Sequence, residues 1–168
     1  SYSINSIPSK GAFHPKITFL AGENDVLLLQ GSGNITNGGH GKNHEIFTVF
    51  YANREDQIQL PIIQEAWLYL RRLTSDIEGI SSEKLDWVSS NCNLLTDIKT
   101  KPHQFIDIEP NFSAALLYNE ETSIWQQLQK LVPSSSIKNI KVFSPFYDEK
   151  GTLLSRLSAQ YNNCTIDA

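Results

Sequence analysis

Val26-Leu27-Leu28-Leu29-Gln30, running straight into Gly31-Ser32-Gly33-Asn34, decides how this chain is read. Four apolar residues in a row, without alternation, fit a strand covered on both faces. Upstream, Phe13, Ile17, Phe19 and Leu20 mark another strand, with a turn at Gly22-Glu23-Asn24-Asp25 between the two. Downstream, residues 31–43 hold five glycines and three asparagines, a loop able to reach backbone conformations closed to other residues. Residues 46–51, with Phe47, Val49 and Phe50, read as a third strand. Three strands this closely connected predict an antiparallel meander inside a larger sheet.

Each of these segments also carries polar residues two positions apart: His14 and Lys16, Ser32 and Asn34, Asn43 and Glu45. Residues at i and i+2 of a strand share a face. Buried polar groups cost free energy unless paired, so polar pairs beside apolar runs point to a site rather than to core. An imidazole, an ammonium, a hydroxyl, a carboxamide and a carboxylate together suit gripping a phosphate and attacking its phosphorus.

His14-Pro15-Lys16 followed by Gly31-Ser32-Gly33-Asn34 resembles the His-x-Lys and Gly-Ser-x-Asn parts of the HKD motif of the phospholipase D superfamily. Asn43-His44-Glu45 resembles the variant found in its nuclease and restriction-enzyme-like members. Residues 140–148 resemble the strand and turn that open the second half of two-domain members. The motif's aspartate position is occupied here by Ala21, and Glu45 is the carboxylate available to replace it.

The resemblance implies a phospholipase D-like α/β fold, a mixed β-sheet sandwiched by helices, and a metal-independent phosphodiesterase without cofactor, here a nuclease. His14 would be the nucleophile, forming a phosphohistidine and splitting one displacement into two. Lys16 and Asn34 would stabilise the non-bridging oxygens. Ser32 and Asn43 would add hydrogen bonds to the phosphate. Glu45 would accept from the far ring nitrogen of His14 and favour the charge it acquires. A second histidine must protonate the leaving oxygen, and the chain has no second His-x-Lys. A homodimer, or a second motif outside these residues, is expected to complete the site. The alternative is a non-catalytic phosphate-binding or assembly module that keeps the fold.

The remainder reads as scaffold. Pro61 suits a first helical turn, and Ile62, Ile63, Ala66, Trp67, Leu70 and Leu73 recur at helical spacing. Ser81 or Ser82 is the expected cap of a second helix. Residues 96–113 read as irregular, 114–118 as a fourth strand, 120–132 as a helix broken by Pro133. A strand near Ile140 and a helix over 151–161 then look like the opening of another α/β unit, giving an expected division into 1–132 and 133–168. Trp67, Tyr69, Trp87 and Trp125 all fall in helical patterns and are expected in cores. His40 and His44 have the spacing of a helical metal pair but flank a glycine loop, which argues against zinc, and His103 shows no partner pattern.

With 14 basic and 18 acidic side chains the net charge is -4. No global basic field exists, so a nucleic-acid substrate, expected to be DNA, must be held by a local patch. Cys92 and Cys164 match no metal-ligand spacing and read as reduced thiols. No apolar run approaches the roughly 20 residues of a membrane span and no signal peptide is visible, so a cytoplasmic location away from membranes is expected. The absence of methionine suggests a trimmed piece of a longer chain.

Overall fold

The meander expected between residues 13 and 51 forms over residues 17–53. The computed structural model describes residues 4–8, 13–144 and 147–168, except for the side chains of residues 40 and 80. It contains β1 (Ile17–Ala21), β2 (Asp25–Gly31) and β3 (Phe47–Asn53), antiparallel in the order β1-β2-β3. The register pairs Phe19 with Leu28 and Leu28 with Phe50. A short helix, α1 (Asn37–Gly41), lies in the loop between β2 and β3.

The period then changes to helical. In α2 (Leu60–Leu73), Pro61 occupies the first turn, and Ile62, Ile63, Ala66 and Trp67 are buried. That stripe lies against β2 and β3, whose Val26, Leu28 and Ala52 are buried on the facing side. The rings of Phe19 and Trp67 have centroids 5.2 Å apart. The opposite face of the sheet is different. Leu27 and Leu29 are only half-buried, and Leu20, Val49 and Tyr51 are 58%, 53% and 44% exposed. Among the described residues this sheet is covered on one face, not on both as the apolar run suggests.

Further along, α3 (Ile80–Asn91) starts one residue after Gly79, whose φ of 75° serves as the cap, so Ser81 and Ser82 sit inside its first turn. The stretch expected to be irregular holds β4 (Ile106–Glu109), paired through a turn at Asn111 (φ 68°) with β5 (Phe112–Ala114). The strand expected over 114–118 is not formed: β5 ends at Ala114, and residues 115–118 belong to no strand. Backbone groups beyond it are met by side chains: Gln127 Nε2 donates to Tyr118 O at 2.8 Å, and Tyr118 N donates to Gln127 Oε1 at 3.3 Å.

The chain divides into two compact units, Ser1–Leu116 and Leu117–Ala168. In the second, α4 (Ile124–Leu131) begins with a reciprocal cap in which Gln126 N donates to Ser123 Oγ and Ser123 N to Gln126 Oε1. After a 3-10 turn at Ser134–Ser136 come β6 (Asn139–Lys141), α5 (Thr152–Gln160) and β7 (Thr165–Asp167), with β6 and β7 parallel. Tyr161 Oη donates to Val132 O at 3.2 Å and Gln129 Nε2 to Gln160 Oε1 at 2.6 Å, which ties α4 to this βαβ crossover. Of the expected strand and turn over 140–148, residues 145 and 146 lie outside the described residues. Among the described residues the architecture is mixed α/β with three small sheets rather than one. Among the described residues no helix is long and apolar enough to cross a membrane, and Cys92 and Cys164 are free thiols.

Asp148 organises the start of α5. Its carboxylate accepts from Thr152 N at 2.9 Å, Thr152 Oγ1 at 2.8 Å and Lys150 N at 3.1 Å. The Thr152 backbone donor first, then its hydroxyl, hold the carboxyl below its ordinary 3.8. A depressed carboxylate contributes while ionised and loses that contribution as pH falls through the lowered value. The Thr152 amide chemical shift should therefore titrate with a midpoint below 3.8, and Asp148→Asn should abolish that titration. The two faces of the meander predict a second contrast. Leu28→Ala, at a fully buried position, should cost about 2–5 kcal/mol. Leu20→Ala on the open face should change stability by less than about 0.5 kcal/mol, both read from urea unfolding midpoints.

Candidate functional site

Close backbone contacts shape the ends of β1, β2 and β3. Gly33 lies where a Cβ would be 2.5 Å from Gly39 O and 2.7 Å from Phe47 Cζ. At Gly39 a Cβ would be 2.7 Å from Asn34 N. These two glycines let α1 fold directly against the segment carrying Asn34. Thr36 closes the arrangement, its Oγ1 accepting from Gly39 N at 3.0 Å as the helix N-cap. The glycine-rich loop is thus a packed turn of helix, and its capping threonine was the readable signal for it.

His14 and Lys16 precede β1, which begins at Ile17, so they stand on its lead-in rather than on a strand. Gly31 N nonetheless donates to Lys16 O at 3.3 Å, which carries the ladder one step further and sets Lys16 beside the end of β2. Lys16 Nζ lies 2.7 Å from both ring nitrogens of His14 and donates to His14 O at 3.3 Å. An ammonium has only protons to offer, so the imidazole accepts in this contact. Lys16 and Asn34 line one shallow pocket of about 110 Å³ together with Thr18, Leu29, Ile35 and Phe47. With about 30 Å³ per liquid water, that space suits a few waters or one small oxyanion.

The remaining candidates form their own cluster. Ser32 Oγ donates to Glu45 Oε2 and accepts from Ile46 N at 3.2 Å. Asn43 Nδ2 donates to Glu45 Oε1 at 3.4 Å. Glu45 is therefore held by Ser32 and Asn43, and among the described residues no hydrogen bond joins it to His14. The structure brings His14 to Lys16, Lys16 and Asn34 to one pocket, and Ser32 and Asn43 to Glu45. The hydroxyl proton of Ser32 is committed to the carboxylate in this state.

No family model, curated protein or solved structure matches the chain. The local geometry must carry the reading by itself. The described residues contain no group of three or more His, Cys, Asp and Glu side chains placed to hold a metal ion. His44 lies beyond the end of α1 at Gly41, and the His40 side chain lies outside the described residues.

Sequence reasoning passed over one buried ionisable residue. Glu65 on α2 is 2% exposed, and its Oε1 accepts from His103 N at 2.8 Å, with His103 Nδ1 3.3 Å away. His103 Nδ1 is also 3.3 Å from Leu116 O, so this nitrogen faces two acceptors and carries the proton between them. The contact pegs the segment before β4 onto α2, with His103 at φ 55°. The partners are 38 residues apart, and no local pattern announces them.

The glycine contacts predict an internal contrast within α1. Gly39→Ala forces a methyl against the Asn34 backbone and should destabilise by about 1–3 kcal/mol. Gly41→Ala meets open space and should be neutral or stabilise by up to about 1 kcal/mol. Thermal unfolding of the two variants beside the unmutated chain measures both.

Proposed function

We propose that this chain carries one half-site of a metal-independent phosphodiesterase of the phospholipase D type, a nuclease acting on DNA through a phosphohistidine. The observation that supports it most is the pocket shared by Lys16 and Asn34, with His14 against the Lys16 ammonium. A cation and a carboxamide lining a space the size of a small oxyanion, with an imidazole against the cation, suit a phosphodiester better than a neutral ligand.

In this reading an incoming phosphate oxygen draws the Lys16 ammonium off the imidazole. That movement neutralises phosphate charge and uncovers the nucleophile at the same time. A His14 ring nitrogen forms the bond to phosphorus as the bond to the leaving oxygen breaks. The leaving oxygen takes its proton from a second imidazole, supplied by another copy of the chain or by a motif outside these residues. Water then gives a proton to that second imidazole, attacks the phosphohistidine at phosphorus and breaks the P–N bond, which restores His14. Asn34 and Lys16 hold the non-bridging oxygens throughout. Glu45, engaged by Ser32 and Asn43 in this structure, would have to turn to the His14 ring to take the carboxylate role that Ala21 does not fill.

The complete protein, incubated with DNA in the presence of a chelator, should cleave it and accumulate an acid-labile phosphate adduct. Removing a covalent nucleophile costs on the order of 10⁴-fold or more in rate, so His14→Asn should abolish both signals while inorganic phosphate still binds. Undiminished cleavage by His14→Asn would remove the proposal. Phosphate binding that depends on Lys16, with no cleavage by the unmutated complete protein, would leave a binding module in its place.

A further inference from the structure

On the N-terminal unit, away from His14, the β1–β2 turn and the C-terminal end of α3 enclose a second cavity of about 240 Å³. Gly22 and Glu23 line it from the turn, and Trp87, Val88, Asn91 and Cys92 line it from the helix. It is below the roughly 300 Å³ at which pockets for drug-sized ligands begin, so its occupant is small. The walls are held in place: Asn93 N donates to Glu23 O at 2.9 Å, and Asn93 Nδ2 donates to Asn24 Oδ1 at 2.8 Å.

The chemistry of the walls has one sign. Trp87, expected in the core from its helical spacing, is 65% exposed and lines the cavity. Glu23 lines the opposite wall, and among the described residues no lysine or arginine lines the space. Asp25 is near enough that its charge, after the larger effect of burial, helps push the Cys92 thiol up. The α3 helix points its carbonyl end here, the negative end of its dipole. The Val88 and Trp87 carbonyls already accept from Cys92 N at 3.0 Å and Asn91 Nδ2 at 2.8 Å, so they are not left over as ligand acceptors. An acidic residue and an aromatic one are what the cavity offers.

A neutral apolar occupant would strip water from Glu23 without compensation, and an anion would be repelled. We propose that this cavity binds a small organic ammonium ion, with its charge between the Trp87 ring and the Glu23 carboxylate and its alkyl groups on Val88. Aromatic rings and a carboxylate are the groups that favour such cations. The assignment is independent of any phosphodiesterase activity, because none of its residues belongs to the His14 site.

Cys92, a buried thiol on the cavity wall, supplies the readout, because a reagent reaches it only when the wall opens and an occupant opposes that opening. In the full chain carrying Cys164→Ser, the rate of Cys92 modification by a thiol reagent is followed against tetramethylammonium, with sodium chloride matching ionic strength. Saturable protection is expected. Glu23→Gln and Trp87→Ala should each weaken it about tenfold or more, with Trp87→Phe retaining most of it. The neutral isostere tert-butanol should not protect. Equal protection by tert-butanol, or protection unchanged in Glu23→Gln, overturns the proposal, as does the absence of any saturable protection. Glu23 and Trp87 are exposed, so unchanged unfolding midpoints for the variants confirm that a lost signal reflects lost binding.

Discussion

The seating of α2 across the β2–β3 face is the constraint on which the N-terminal unit depends. Val26, Leu28 and Ala52 on the sheet meet Ile62, Ile63, Ala66 and Trp67 on the helix, and all are buried. Burial of a large apolar side chain contributes roughly 1.5–3 kcal/mol, against a backbone ordering cost of about 1–2 kcal/mol per residue. A three-stranded meander has little else to offset that cost. Its register in turn places Lys16 beside Gly31 and Ile46 beside Ser32, so the geometry of the candidate site is inherited from a hydrophobic contact on the far side of the sheet. The buried Glu65 belongs to the same contact, since α2 can carry a carboxylate inward only where the His103 backbone and ring meet it.

Much of this was legible because it repeats. The helical spacing from Ile62 to Leu73 and the clustered apolar residues of β1 to β3 survive in the structure because period and burial agree. The losses have particular causes. The continuous run Val26-Leu27-Leu28-Leu29 carries no information about which face is covered, and here Leu27 and Leu29 look outward. Residues 106–109 alternate as Ile-Asp-Ile-Glu before a turn at Pro110-Asn111, a readable hairpin. At Tyr118 a glutamine side chain takes the place of a neighbouring strand, which no periodicity encodes. β7 is three residues long, below what a period can mark.

For the candidate site, the residue types were readable and their partners were not. His14, Lys16, Ser32, Asn34, Asn43 and Glu45 do gather near the ends of the meander, but in two groups. Lys16 turns back onto His14, and Glu45 is engaged by Ser32 and Asn43. Spacing in a sequence states which face a side chain occupies, whereas the pairing of long side chains such as lysine and glutamate depends on rotamers that spacing does not specify. The glycines of residues 31–43 illustrate the same limit. Three of them, Gly31, Gly33 and Gly39, are needed for close backbone contacts rather than for unusual dihedral angles.

The three tryptophans sit in three separate environments. Trp67 is enclosed beneath the Phe19 ring, Trp87 is open to solvent, and Trp125 is half-covered in α4 of the C-terminal unit. Intrinsic fluorescence is consequently a spatially resolved signal in this molecule. A blue-shifted emission belongs to the meander and α2, a red-shifted one to the end of α3, and an intermediate one to the βαβ unit. Loosening of either unit alters its own band, so the chain carries, without any label, separate optical gauges of its two folded parts.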